Sequence, residues 1–238
     1  MEQARLILIR HGHTAANSGG EPRMSGWTDF PLSPFGRRQA EALSRRLAAG
    51  EPSASRLYTS PLQRAADTAR ALAAVTGGDL VPEEDLREIG CGEVDGWTVS
   101  AVREHYPHLW EANFRQHDPD FGWPGGETYR NFRERCLSGM RRIAAAHPGE
   151  RVLVVTHAGL ISQVIGWLQG LGPESWERFR PGNCSLTEVL WREDCGSVAA
   201  FDDRSHLAGV NPEAEARARA DEAAAAVQPG ANTCPPSG

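Results

Sequence analysis

Two short runs of aliphatic residues, Leu6-Ile7-Leu8-Ile9 and Val152-Leu153-Val154-Val155, each lead within two residues to a histidine followed by a small residue. A continuous apolar run of this length marks a strand buried on both faces, as in a parallel sheet covered by helices. In open sheets of that kind ligands bind beyond the carboxyl ends of the strands. His11, in Arg10-His11-Gly12, and His157, in His157-Ala158-Gly159, are therefore expected to converge at one place. A single histidine there could simply cap a strand by bonding a neighbouring carbonyl. Two of them point to a site.

The rest of the chain fits an α/β fold, a three-layer α/β/α sandwich with a mostly parallel central sheet. Ser33-Pro34 reads as an N-cap with a first-turn proline, and Ala40, Leu43 and Leu47 recur at helical spacing until Gly50. Leu57-Tyr58-Thr59 reads as a second strand, with Ser60-Pro61 as another cap before a helix through Ala65, Ala69, Leu72 and Val75 to Gly77. Periodicity weakens over residues 83–128, where Trp97, Tyr106, Trp110, Phe114, Phe121 and Trp123 lie among Pro, Gly and charges. This predicts a short helical lid, an insertion of about residues 93–127. A helix is expected over Tyr129–Ala146, one after His157 to about Leu171, and strands at Leu186 to Trp191 and Val198 to Phe201. One domain thus covers residues 1–210. Residues 211–238 form an Ala-, Arg- and Glu-rich tail, either a solvated helix or disorder.

Composition removes several classes of function. All 25 basic residues are arginine, so any chemistry that needs a side-chain amine is excluded, from a Walker A lysine to a Schiff base. Positive charge comes only as planar, permanently charged forks, suited to phosphate or carboxylate. A formal net charge of −6 offers no reservoir for counterion release, which argues against nucleic acid. Five cysteines at irregular spacing, with no C-x-x-C, suggest neither a disulfide framework nor a zinc ribbon. The first apolar run is too short for a signal-peptide core, and no stretch reaches the roughly 18 apolar residues of a membrane span. A cytoplasmic protein without membrane contact is expected.

Six ordered motifs carry a family resemblance. They are Arg10-His11-Gly12-x-Thr14-x-x-Asn17, Ser25-Gly26-Trp27-x-Asp29-x-Pro31-Leu32, Ser60-Pro61-Leu62-x-Arg64-Ala65, Leu86-Arg87-Glu88-Ile89-x-x-Gly92, Pro124-Gly125-Gly126-Glu127 and Val154-x-Thr156-His157-Ala158-Gly159. From about Arg5 to Leu207 the chain resembles the histidine phosphatase superfamily, the phosphoglycerate-mutase-like fold, in its phosphatase branch. The resemblance implies that His11 attacks phosphorus and forms a phosphohistidine, which water then hydrolyses. Arg10, Arg64 and His157 would stabilise the equatorial oxygens, and Glu88 would give the leaving alkoxide its proton. Gly12, Thr14, Asn17, Ser25, Gly26 and Ala158 are the implied substrate-binding positions. Asn17 and the Gly26 backbone would add hydrogen bonds, and Gly12 would let the backbone approach the phosphate. The two guanidinium groups should depress the pKa of His11. No metal and no cofactor are implied.

The expected activity is hydrolysis of a small soluble phosphorylated metabolite. A mutase of the same superfamily is the alternative, although family mutases carry a longer insertion between the segments matching Glu88 and Gly126. A metallohydrolase using His11 and His13 as H-x-H ligands, and a module that binds phosphate without turnover, are further alternatives. His13 stands where the family usually has Glu or Gln, and is expected at the rim of the site. Glu93 and Asp95 read as loop carboxylates, and His105, His108, His117, His147 and His206 as surface or packing residues. The short lid resembles that of family phosphatases of broad specificity and of those acting on sugar phosphates, phosphoglycerate derivatives or ribazole phosphate. Oligomeric state stays open, a homodimer included.

Overall fold

The structure, a computed structural model, describes residues 2–17, 21–50, 54, 56–193, 195–208 and 210, the side chain of Asn17 excepted. Both apolar runs are strands at the centre of a six-stranded sheet: β1 (Ala4–Arg10) and β4 (Arg151–Thr156). With β2 (Arg56–Thr59), β3 (Leu80–Pro82), β5 (Leu186–Arg192) and β6 (Cys195–Asp203), the order is β3-β2-β4-β1-β5-β6. The first four strands in that order run parallel, and β5 and β6 are antiparallel additions at one edge. Alternation along the strands divides the core in two. Leu6, Leu8, Val152 and Val154 pack under α5 (Tyr129–Ala146) and α6 (Ala158–Leu168). Ile7, Ile9, Leu153 and Val155 pack under α1 (Pro34–Ala48) and α2 (Gln63–Thr76). The result is a three-layer sandwich.

Three details differ from the sequence reading. Ser60 is not the cap of α2, which starts at Gln63 behind Leu62; the Ser60 hydroxyl instead lies 2.8 Å from Nε2 of His157. The helix after His157 stops at Leu168 rather than about Leu171. Strand β3 was not foreseen, because Leu80-Val81-Pro82 is too short for any period to register. Residues 211–238 lie outside the described residues.

Between β3 and α5 the chain forms α3 (Val99–His105) and α4 (Pro107–Arg115), with Thr98 capping the first of them by accepting the Ala101 N–H. Around Phe121, Trp123, Tyr129, Val94 and Val102 this region builds a small core of its own. No helix among the described residues is long and apolar enough to cross a membrane.

The start of α1 lies hard against the chain after β1. A methyl group on Gly36 would run into the backbone carbonyl of His13, and one on Gly12 would come 2.7 Å from the Gly36 carbonyl oxygen. Backbone cannot swing aside as a side-chain tip can, so Gly36→Ala is expected to destabilise the fold by about 3 kcal/mol. That corresponds to a fall in Tm of roughly 6–12 °C in a domain of this size, readable by thermal denaturation. A fall below about 2 °C would mean that the junction relaxes freely.

Candidate active site

The parallel register sets Arg10 opposite Thr156, so the next residue on each strand, His11 and His157, must be neighbours. Their rings lie 5.2 Å apart between centroids, and the His11 N–H bonds the Thr156 carbonyl at 2.9 Å. Nδ1 of His11 lies 2.7 Å from the Gly12 carbonyl. A carbonyl only accepts, so Nδ1 carries the proton and Nε2 keeps its lone pair. The backbone of His11 is held from the other side by Asn183, whose Nδ2 donates to the His11 carbonyl at 2.9 Å.

Arg64 is an arginine buried in the interior, at 1% exposure. Nη1 donates to the Thr28 carbonyl, and Nη2 donates to the carbonyls of Ser25 and Gly26. That loop is held in turn by Asp95, whose carboxylate accepts the N–H groups of Gly26, Trp27 and Thr28 at 3.0, 2.6 and 3.2 Å. The Gly26 N–H, expected to face substrate, is thus engaged by Asp95, while its carbonyl orients Arg64. Arg10 donates Nη1 to the Pro181 carbonyl at 2.8 Å. Three nitrogens near the two histidines remain buried and unpartnered: the donors Nε of Arg10 and Nε of Arg64, and Nδ1 of His157. Buried polar groups are nearly always satisfied, and such a concentration around two histidines suits an anion.

Burial first, and then the charges of Arg64 and Arg10, hold the His11 pKa well below the usual imidazole value. The guanidinium groups therefore act as expected, though desolvation is the larger cause. His157 is lowered in the same way by burial, Arg64, His11 and Arg10. Burial brings Arg10 down to about 10, which leaves it charged at neutral pH. A histidine kept neutral in the fold takes up its proton near pH 6.5 only when unfolded. Its contribution to stability is complete above that pH and is lost as pH falls below it. Each such imidazole adds a slope of up to about 1.4 kcal/mol per pH unit. His206, held at about 4 by burial and Arg46, adds to the same trend. Urea unfolding should show lower stability at about pH 5.5 than at about pH 7.5, and a midpoint that stays flat over this range would contradict neutral, buried histidines.

Glu88 reaches the site from the segment after β3. Its Oε1 accepts from the Ile89 N–H at 3.0 Å, and its Oε2 accepts from the Gly159 N–H in the first turn of α6, also at 3.0 Å. A Cβ at position 159 would strike this carboxylate, so a larger residue there would displace Glu88 from its present place. A clamp not foreseen from sequence positions the segment. Arg135 on α5 pairs with both carboxylate oxygens of Glu127 and donates to the carbonyls of Asp85, Arg87 and Glu88. Glu127 stood in a motif already noted, whereas Arg135 looks like any helix-surface arginine.

The remaining positions divide. Ala158 lines the cleft with Arg10, His11, Ser25 and Glu88, and Thr14 is buried and pairs through its backbone with Leu32. Gly12 donates its N–H to Thr68 Oγ1 at 3.0 Å, and its lack of a Cβ leaves room for the start of α1 at Gly36. The Asn17 side chain lies outside the described residues. His13 is not at the rim: it is 5% exposed, its Nδ1 lies 2.8 Å from Ser33 Oγ, and its ring packs edge-on against Phe35. His11 and His13 therefore engage different partners. Among the described residues no group of three or more His, Cys, Asp or Glu is placed to hold a metal ion.

The cleft has a volume of about 440 Å³, in the range of small-molecule sites. Phe114 and Trp123 line it, joined by Trp110 and Trp176, while Trp97 and Phe121 belong to the packing behind. Trp176 and Arg180, on the stretch between α6 and β5, carried no motif that could have marked them.

Comparison with known proteins agrees with this architecture. The chain is 32% identical over 218 residues to phosphoglycerate mutase-like protein 4 of Arabidopsis thaliana, covering 87% of this chain and 88% of that protein. It is 32% identical over 213 residues to the metal-independent phosphoserine phosphatase of the same plant, covering 88% and 85% respectively. A solved structure, mycobacterial hydrolase 2, superposes with a TM-score of 0.78 at 27% identity, covering 93% of this chain and 99% of that one. The family model of the histidine phosphatase superfamily (branch 1) matches residues 6–204, and the chain belongs to that superfamily.

Proposed function

We propose that the protein is a metal-independent phosphomonoesterase acting on small soluble phosphate esters. Nε2 of His11 attacks phosphorus in line, the P–O bond to the alcohol breaks, and a phosphohistidine forms. Water then attacks the phosphohistidine, returning His11 and inorganic phosphate. The equatorial oxygens take their hydrogen bonds from Arg10, Arg64 and His157, since phosphoryl transfer asks mainly for positioning and charge stabilisation. Glu88 gives its proton to the leaving oxygen and recovers one from the attacking water. Ser25, Gly26 and Asp95 act one step back, holding the Arg64 fork.

The observation that carries this reading is the His11 ring: its Nδ1 is committed to the Gly12 carbonyl, which leaves Nε2 unprotonated among buried, unpartnered donors. The 32% identity to a relative named as a metal-independent phosphoserine phosphatase supports it. The test is phosphate release from p-nitrophenyl phosphate in excess EDTA, together with acid quenching during turnover of a radiolabelled ester. Full activity in EDTA and an acid-labile, base-stable protein-bound phosphate are expected. Loss of activity to the chelator would remove the metal-free mechanism.

A further inference from the structure

We infer that the leaving-group end of the cleft takes an aromatic or similarly flat apolar alcohol, so that the preferred substrates are phosphate esters of ring-bearing alcohols. This deepens the phosphomonoesterase reading and rests on it. Beyond Arg10, His11 and Glu88, the cleft continues along Trp110, Phe114, Trp123 and Trp176. The rings of Trp110 and Phe114 are 4.8 Å apart, and those of Phe114 and Trp176 are 6.1 Å apart, which makes one aromatic wall. Phe114 stays 43% exposed, so one face of this ring is open to the cleft or to solvent. A ring laid against that wall would gain offset or edge contacts with several of them.

The charges on the same wall do not suit a second anion. Arg180 is paired with Glu177 at 3.1 Å, and its guanidinium lies 5.5 Å from the Trp176 ring centroid. Arg23 donates Nη1 to the Gly96 carbonyl and has Glu21 beside it. Of the buried amides on the wall, Asn113 has its oxygen taken by the Tyr129 hydroxyl, while Gln163 accepts from Arg133 Nε and donates to the Pro173 carbonyl. A carboxylate on the leaving group would meet cations already matched by acids, whereas an apolar ring would meet continuous aromatic surface.

The experiment compares kcat/KM for phenethyl phosphate, ethyl phosphate and O-phosphoserine, all esters of alkyl alcohols, so that leaving-group activation does not dominate. The phenethyl ester is expected to exceed each of the others by roughly tenfold or more. In Phe114→Ser, at a half-exposed position where the fold tolerates change, the phenethyl-to-ethyl ratio should fall by about an order of magnitude. Phosphoserine equal to or better than the phenethyl ester, or a ratio unmoved by Phe114→Ser, would overturn the inference. Calorimetry with phenethyl phosphonate against phosphonopropionate keeps the two levels apart. Preferential binding of phenethyl phosphonate with no ester turned over would support the pocket while sinking the phosphatase reading. Turnover of all three esters without preference would sink the pocket alone.

Discussion

Replacing His11 by alanine is expected to lower phosphate release from p-nitrophenyl phosphate by at least about 10³-fold, a loss of about 4 kcal/mol of transition-state stabilisation. The size follows from the role. A nucleophile that forms the covalent intermediate cannot be replaced in kind by water, which would have to attack the ester directly. The fold should survive the change, because His11 is anchored through its backbone, by its N–H to Thr156 and its carbonyl to Asn183. Inorganic phosphate should still bind, since Arg10, Arg64 and His157 are untouched. Binding without turnover, together with loss of the acid-labile phosphoenzyme, is therefore the expected signature. A variant that keeps more than about a tenth of wild-type turnover would remove His11 from the nucleophile's place.

The second large effect depends on the substrate. Glu88→Gln preserves the shape of the side chain and an oxygen that can accept from Gly159 or Ile89, so the first turn of α6 stays in place. What is lost is the proton. For alkyl esters, whose alkoxides leave poorly, turnover should fall by about 10²- to 10⁴-fold. For p-nitrophenyl phosphate, whose phenolate leaves unassisted, the fall should be several-fold at most. The quantity to measure is the ratio of the two losses. Equal losses on both esters would assign Glu88 to holding the site rather than to proton transfer. The Arg135 clamp offers a contrast: because it grips the carbonyls around Glu88, Arg135→Met should slow both esters alike.

The legibility of this chain follows the range of the forces involved. The layers and the central strands could be read because residues such as Leu6 to Ile9 carry their burial in their own chemistry, and because Pro34 and Gly50 punctuate α1. The meeting of His11 and His157 was readable for the same reason, since strand ends and register are backbone consequences of those runs. Short elements escaped: β3 has too few residues for a pattern, and Ser60-Pro61 looked like a cap while its hydroxyl was committed to His157 across the sheet. His13 was misplaced because its neighbour Phe35 is brought in by the packing of α1, which local sequence does not encode. Arg135 with the carbonyls of Asp85, Arg87 and Glu88, Asp95 with the loop before Arg64, and Trp176 with Phe114 were hidden likewise. Each is a contact between segments far apart in the chain, and each side chain alone looks ordinary.

The pairing of β1 with β4 joins segments separated by more than half of the chain. Bringing such distant strands together must first overcome loop-closure entropy, so this contact belongs to the slow part of folding. Until it closes, His11 sits at the end of a strand with neither His157 nor the first turn of α6 beside it. The site therefore has no half-built form: a chain leaving the ribosome carries the imidazole of His11 long before it carries the partners that make that imidazole dry, neutral and reactive. Recovery of turnover during refolding would then report the closing of the sheet's central seam.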